Sequence, residues 1–235
     1  MSQTQEKPLQ VLYEDKNLLA VYKTAGIPVQ ADKTGDATLL DRVKAYLRKQ
    51  SGKETPFCEV THRIDRPVSG IVLLAKTHET LVGLNKLFQI KKVHKTYLAI
   101  VQPTPSEKKG RLVHWVKKIQ TANLAKAFDQ ETPGCKEAIL DYEVLQESGE
   151  QALLKIIPKT GRHHQIRVQL SKMGSPVLGD NKYGYKGPST GWGIALHAYN
   201  LAFQHPITHV NLLIAAPFPQ HPMWDTFRAL EGHGE

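Results

Sequence analysis

The chain has 235 residues, of which 31 are Lys or Arg and 22 are Asp or Glu, giving a formal charge of +9 with 40% hydrophobic residues. That composition calls for a packed globular core rather than disorder, and the positive balance favours a polyanionic partner, most simply nucleic acid. Two cysteines, Cys58 and Cys135, without Cys-x-x-Cys spacing exclude a disulfide-dense scaffold and a Cys-rich zinc site, and two free thiols in a reducing cytosol is the simpler reading.

Residues 1–8 are polar, contain no signal-peptide core, and are expected to be a disordered tail ahead of a single domain over 9–235. No apolar run approaches the ~18–20 residues needed to cross a bilayer, so a cytoplasmic protein without membrane contact is expected. Leu9 to Tyr13 and Leu18 to Tyr22 read as strands joined by a hairpin loop at 14–17. Thr38 is placed to cap a helix over 39–49, whose Leu39, Leu40, Val43, Tyr46 and Leu47 recur at helical spacing. The run 71–75 reads as a buried strand. Thr77 caps a second helix with the stripe Leu81, Leu84, Leu87 and Phe88. Strands are expected over 94–101, 111–119, 136–145 and 151–157, with a less readable lysine-bearing segment around 125–128. A helix is expected over 162–173, an exposed loop over 175–193, late strands over 194–203 and 210–215, and a short helix from Met223 to Leu230. Short strands and four helices without a βαβ rhythm indicate an α+β fold with a mixed, largely antiparallel sheet.

Three stretches carry chemistry. In Thr61-His62-Arg63-Ile64-Asp65-Arg66-Pro67-Val68-Ser69-Gly70, a single carboxylate sits between two arginines ahead of the buried strand. Read alone, Asp65 is either a loop aspartate paired with an arginine or the centre of a site. In the 162–173 helix, Arg167 lies about 60° round from Leu170 and flanks the apolar face formed with Ile166 and Met173. It either snorkels to water or, being costly to bury alone, seeks a carboxylate such as Asp65. The start of that helix, Gly161-Arg162-His163-His164, offers N–H groups and an arginine to a phosphate. Tyr97, in Lys95-Thr96-Tyr97, is either a core residue or a flat platform for a flipped base.

Taken together, these stretches resemble the RluA-type pseudouridine synthases. His62-Arg63-Ile64-Asp65 with Ser69-Gly70 is similar to that family's catalytic motif, and Lys95-Thr96-Tyr97-Leu98-Ala99 to its tyrosine motif. Pro158 to Val168, continued by Pro176-Val177-Leu178-Gly179-Asp180, resembles its basic motif, and Leu196-His197-Ala198 its late motif near the uracil. The motifs arrive in family order across residues 9 to 215. Lys23-Thr24 stands where the family usually has Lys-Pro, His163-His164 where Thr-His or Ser-His is commoner, and Ile64 where leucine is usual.

The resemblance implies the pseudouridine synthase catalytic fold and isomerisation of a specific uridine in structured RNA, tRNA and/or rRNA. Asp65 would start cleavage of the C–N bond and rotation of the uracil, by covalent attack or by abstraction of a sugar proton. Tyr97 would stack on the flipped base and is placed to take the C5 proton. Arg167 would pair with Asp65, and Arg63 would reach into the RNA. Leu196 joins Arg63 and Arg162 among the expected substrate contacts. Neither a metal nor an organic cofactor is expected, nor an obligatory protein partner; a monomer is. With about eight residues ahead of the first strand, no S4 RNA-binding domain is expected.

Three rivals differ in chemistry. One is a non-catalytic RNA-binding protein of the same fold; the presence of Asp65, Tyr97 and Arg167 argues against it. A second is a ribonuclease using some of the 11 histidines. A third is a metal hydrolase, but His205 and His209, read as extended chain around Pro206, would stand about 13 Å apart, too far for one ion.

Overall fold

The computed structural model describes residues 8–32, 34–52 and 54–228. Of the expected tail over 1–8 only Pro8 is among them, and Ala229 and Leu230 of the expected closing helix lie outside them. In chain order the strands are β1 (Val11–Glu14), β2 (Leu18–Lys23), β3 (Glu59–Val60), β4 (Ser69–Ala75), β5 (His94–Val101), β6 (Lys109–Ile119), β7 (Leu124–Phe128), β8 (Lys136–Ser148), β9 (Gln151–Pro158), β10 (Leu196–Gln204) and β11 (Asn211–Ala215). The helices are α1 (Leu39–Ser51), α2 (His78–Gln89), α3 (Gln165–Lys172) and α4 (Pro222–Asp225). The strands form one sheet in the order β1-β2-β4-β10-β5-β9-β8-β6-β7, with β3 on β4 and β11 on β10. Among the described residues β4 with β10 is the parallel pair, and the fold is α+β as expected.

All seven residues of β4 are buried, which is why its sequence shows no alternation. The alternation lies instead in which face each residue serves. Val72 and Leu74, with Leu19 and Val21 of β2, join one core cluster, against which α1 packs Leu39, Val43 and Leu47. Ile71, Leu73 and Ala75, with Leu18 and Ala20, join a second cluster on the other face, covered by α2 through Leu84. Both helix starts follow the expected caps. Thr38 Oγ1 accepts from the Asp41 N–H at 3.1 Å while Asp41 accepts from the Thr38 N–H at 3.0 Å, a reciprocal capping box. Thr77 Oγ1 accepts from the Thr80 N–H at 3.2 Å.

α3 departs from expectation. It begins at Gln165, three residues late, because His164 sits in the left-handed region with φ +50 and breaks the helical path before it. Nor is it amphipathic: Ile166 and Leu170 join the main core, while Val168, on the opposite side, joins a third cluster with Val116, Ala125, Ala138 and Tyr183. Its glutamines point inward and satisfy strand backbone. Gln165 Nε2 donates to the Ile139 carbonyl at 3.0 Å, and Gln169 Nε2 to those of Leu112 (3.2 Å) and Ala138 (3.0 Å).

Three other expectations are corrected. The 175–193 segment is not simply exposed: Val177, Leu178, Asp180 and Tyr183 are buried, and a 3-10 turn forms at Asn181–Tyr183. The closing helix ends at Asp225, with His221 rather than Met223 leading into it. Residues 205–209 are a tight turn, not extended chain, closed by a 2.9 Å bond from the His209 N–H to the His205 carbonyl. The His205 ring is engaged elsewhere, its Nε2 3.1 Å from Asp15 and its Nδ1 accepting from the backbone N–H groups of Ile207 and Thr208.

Candidate active site

Asp65 lies on a short loop pinned at both ends. Ile64 and Val68 on either side of it are buried in the main core, and the Val68 N–H closes a turn onto the Asp65 carbonyl at 3.0 Å. The loop then enters β4 through Gly70 at φ +118, where a Cβ would stand 2.2 Å from the Ala198 carbonyl oxygen. Only glycine permits that approach of β10 to β4. Beside it Ser69 Oγ meets His197 Nδ1 at 2.8 Å, so the first and last motifs are joined in the core. Burial holds His197 well below the ordinary imidazole value, at about 3, and the Pro217 carbonyl only partly opposes this.

The loop's outer side is tied down by cations. Lys23 is fully buried, and its ammonium donates to the carbonyls of Ile27 (2.9 Å), Arg66 (3.0 Å) and Thr24 (3.1 Å). Burial pushes its pKa down to about 7, against the opposing pull of Asp65. Arg66 turns away from the site, donating to the Gly26 carbonyl at 2.8 Å and pairing with Asp36 at 2.5 Å.

Arg167 is brought to Asp65 from α3, with Nη1 3.1 Å from Oδ2. Its main partner is a different carboxylate. Nε and Nη2 grip Asp180 in a two-pronged pair at 2.7 and 2.9 Å. Arg167 is 4% and Asp180 1% exposed, whereas the Asp65 side chain is 27% exposed. Burial alone would lower the Arg167 pKa, but the two carboxylates together raise it. The guanidinium also lies over the Tyr183 ring, 4.8 Å from its centroid. On the other side of Asp65, His164 Nε2 stands 3.7 Å from the same Oδ2, and its Nδ1 is 2.8 Å from the Tyr183 hydroxyl. Among the described residues Oδ1 of Asp65 accepts no hydrogen bond.

Tyr97 comes from β5, opposite Ala198 of β10 and Ile156 of β9, and its ring is half-buried against the main core. Burial, and secondarily the charge of Asp65, raise its hydroxyl pKa. Lys95, two residues earlier, shares its strand face. It makes no hydrogen bond or ion pair among the described residues, and a Cβ on Gly161 would stand 3.8 Å from its Nζ. Burial lowers its pKa. His62 Nε2 accepts from the Leu73 N–H at 3.0 Å, and burial with the Lys95 charge pushes its pKa down to about 3. His62 and His197 are thus neutral rings engaged in the scaffold.

The remaining expected contacts differ in their surroundings. Arg63 is exposed and makes no side-chain hydrogen bond or ion pair among the described residues. Arg162 precedes α3 rather than opening it. Its backbone N–H donates to Gln165 Oε1 at 2.9 Å and its Nε to the Glu137 carbonyl at 2.8 Å, so one N–H and one guanidinium nitrogen of the expected phosphate cradle are already bonded within the protein. Leu196 is 3% exposed in the core opposite Ala99, which leaves almost no surface for a ligand. Sequence reading gave Tyr183 and Lys23 no part in the site, named Asp180 and Lys95 only as motif members without a role, and put His164 at a phosphate-binding helix start rather than beside Asp65. For Asp180 there was a signal: it is the only carboxylate between Glu150 and Asp225, and a buried arginine needs one.

The chain matches the family model described as RNA pseudouridylate synthase over residues 17–172. It is 34% identical to tRNA pseudouridine synthase C of Pasteurella multocida, across 90% of this chain and 92% of that one. It is equally 34% identical to ribosomal large subunit pseudouridine synthase C of Buchnera aphidicola, across 88% of this chain but 66% of the relative, which therefore extends beyond the match. The solved structure of Human RNA Pseudouridylate Synthase Domain Containing 4 superposes with a TM-score of 0.76 at 23% identity, over 95% of this chain and 92% of that one, and shares the fold. No helix among the described residues is long and apolar enough to cross a membrane.

Proposed function

The chain belongs to the RNA pseudouridylate synthase family, and from that premise we propose that it isomerises a specific uridine of structured RNA with Asp65 as the catalytic carboxylate. The observation that carries this reading is the asymmetry of Asp65. Its Oδ2 is held by Arg167 at 3.1 Å, while Oδ1 accepts no hydrogen bond among the described residues and the side chain is 27% exposed. One oxygen is thus anchored and the other is left for substrate.

In the isomerisation the uracil N1–C1′ bond breaks, the base turns, a C5–C1′ bond forms, the C5 proton leaves to solvent, and N1 takes up a proton, so that the product has the composition of the substrate. Asp65 Oδ1 starts the sequence, whether by covalent attack or by removing a sugar proton. A base must leave its stack to reach it, at a cost of a few kcal/mol that is smallest in a loop or end. Tyr97 supplies the flat surface that receives the base. Its raised pKa keeps the phenol protonated at neutral pH, which suits stacking and disfavours it as the base for the C5 proton. Arg63 and Lys95, cations without carboxylate partners among the described residues, are the RNA contacts this reading favours, with Arg162 at the margin. The chain works as one catalytic unit over residues 9–235.

The relatives are named for tRNA in one case and for the ribosomal large subunit in another, so both RNA classes belong to the proposal. Purified protein is incubated with uridine-C5-tritiated tRNA and rRNA transcripts, and mapping of pseudouridines in a deletion strain then locates the target. Release of tritium from one class without chain cleavage is expected. Cleaved RNA with no tritium release would contradict the reading.

A further inference from the structure

Between α3 and the β6–β7 hairpin runs a chain of contacts that the reaction as described does not use. The Ala125 N–H of β7 donates to the Tyr183 hydroxyl oxygen at 2.7 Å. That oxygen lies 2.8 Å from His164 Nδ1. On the far side of the ring, Nε2 stands 3.7 Å from Asp65 Oδ2. His164 is 9% and Tyr183 7% exposed, so water does not substitute freely for any of these contacts.

The proton positions follow from the donors. Tyr183 already receives the Ala125 N–H, and its own O–H has one acceptor within reach, Nδ1 of His164. With Nδ1 accepting, the ring proton of a neutral imidazole must sit on Nε2. It therefore points toward the carboxylate. Nε2 stands 3.7 Å from Oδ2, a separation longer than a hydrogen bond in the free protein and of the kind that tightens when substrate is bound. The opposite tautomer would turn a nitrogen lone pair on Asp65 and leave the Tyr183 proton without a partner.

We propose that His164 is a positioning residue for Asp65: its Nε2–H, fixed by Tyr183, works with Arg167 to hold Oδ2 and so turns Oδ1 to the substrate. Arg167 makes one contact with Asp65 and two with Asp180, so by itself it leaves the Asp65 carboxylate able to swing about the Nη1 bond. His164 supplies a second point once its Nε2–H closes the 3.7 Å gap to Oδ2 in the substrate complex. Its left-handed backbone, φ +50, is a conformation that costs a non-glycine residue roughly 1–2 kcal/mol, and it is what lets the ring face back to the loop. The relay starts on a strand backbone, so its origin does not drift with a side-chain rotamer.

The ring stays neutral in this setting. Burial lowers its pKa to about 4; Asp65 opposes that, while Arg167, His163 and Lys182 reinforce it. His163 stacks on it at 3.8 Å between centroids. The Tyr183 O–H adds to this by occupying the site where a second proton would bind.

The inference rests on Asp65 being the reacting carboxylate, and four variants separate the two claims: Asp65→Asn, His164→Leu, His164→Gln and Tyr183→Phe, each checked for thermal stability. Single-turnover kinetics on C5-tritiated RNA are followed from pH 3.5 to 8. Misplacing a reacting group by an ångström costs on the order of 10²-fold, and that loss in turnover, with unchanged RNA affinity, is expected for His164→Leu. His164→Gln, which offers an amide N–H from the Nε2 position, should recover most of it. Tyr183→Phe should move the acid limb of turnover up by about one pH unit, because Nδ1 becomes free to take a proton. Full turnover in Asp65→Asn would overturn the catalytic assignment itself. An inactive Asp65→Asn beside a fully active, folded His164→Leu would overturn the positioning role alone, as would a glutamine variant no better than leucine or a Tyr183→Phe profile that does not move.

Discussion

Two loops present a carboxylate to the same guanidinium, and they differ in everything else. The 176–183 segment delivers Asp180, 1% exposed and held at two points by Arg167. The loop before β4 delivers Asp65, 27% exposed and held at one point. Arg167 could not be buried without the first partner, since an unpaired buried charge costs several kcal/mol. Once Asp180 has satisfied that need, Asp65 is not required to hold the fold together and is left with an oxygen for chemistry. On the proposed reading a structural ion pair and a reactive carboxylate share one arginine.

The comparison breaks most visibly if the two aspartates behave alike. Asp65→Asn should lower turnover by about 10⁴-fold or more, as loss of an essential reacting group does, with little change in thermal stability. Asp180→Asn should do the reverse in emphasis. It leaves Arg167 buried with its main partner gone, a change that destabilises by about 3–5 kcal/mol, read as a drop in the denaturant midpoint, with turnover falling because Arg167 no longer sits squarely on Asp65. If Asp180→Asn is as stable as wild type, the division between structural and reactive carboxylate fails.

A smaller effect sharpens the role of the cation beneath the Asp65 loop. Lys23 has a folded pKa of about 7 against an ordinary 10.5. Between those values the unfolded chain holds a proton that the folded one has released, so its contribution to stability must rise with pH across that window. Relative to Lys23→Met, wild type should gain up to about 1.4 kcal/mol per pH unit between pH 7 and 9. A difference that stays flat across that range would show the buried ammonium keeps its proton. Smallest of all are the RNA contacts. Neutralising Lys95 or Arg63 should reduce the salt slope of RNA binding by about 0.7–0.9 each, while Arg162, half engaged by the Glu137 carbonyl, should change it less. An unchanged slope removes that residue from the phosphate footprint.

What could be read from sequence is what is written in neighbouring residues. Thr38 and Thr77 sit where capping chemistry requires them, and the hairpin loop at 14–17 and the buried run 71–75 carry their own signals. The nearness of Arg167 to Asp65 could be proposed because a cation beside an apolar stripe needs a partner. Asp180 and Tyr183 were hidden because a segment rich in Gly, Lys and Tyr reads as exposed, and no local pattern marks a residue that is buried by contacts from α3 and β7. α3 was misread for a related reason. Two glutamines and an arginine look like a wet helix face, whereas here they bond to strand carbonyls and to Asp180 inside the fold. Lys23 stood out only as part of a Lys-Thr departure, because one of its three carbonyl partners, that of Arg66, lies 43 residues further along the chain.

The central claim is that Asp65 reacts while Asp180 supports, and one measurement addresses it most directly. Tritium release from C5-labelled uridine RNA is compared for wild type, Asp65→Asn and Asp180→Asn, each at a temperature where circular dichroism shows it folded. The account predicts prompt release by wild type, reduced but measurable release by Asp180→Asn, and none by Asp65→Asn. Release by Asp65→Asn at the wild-type rate would contradict it.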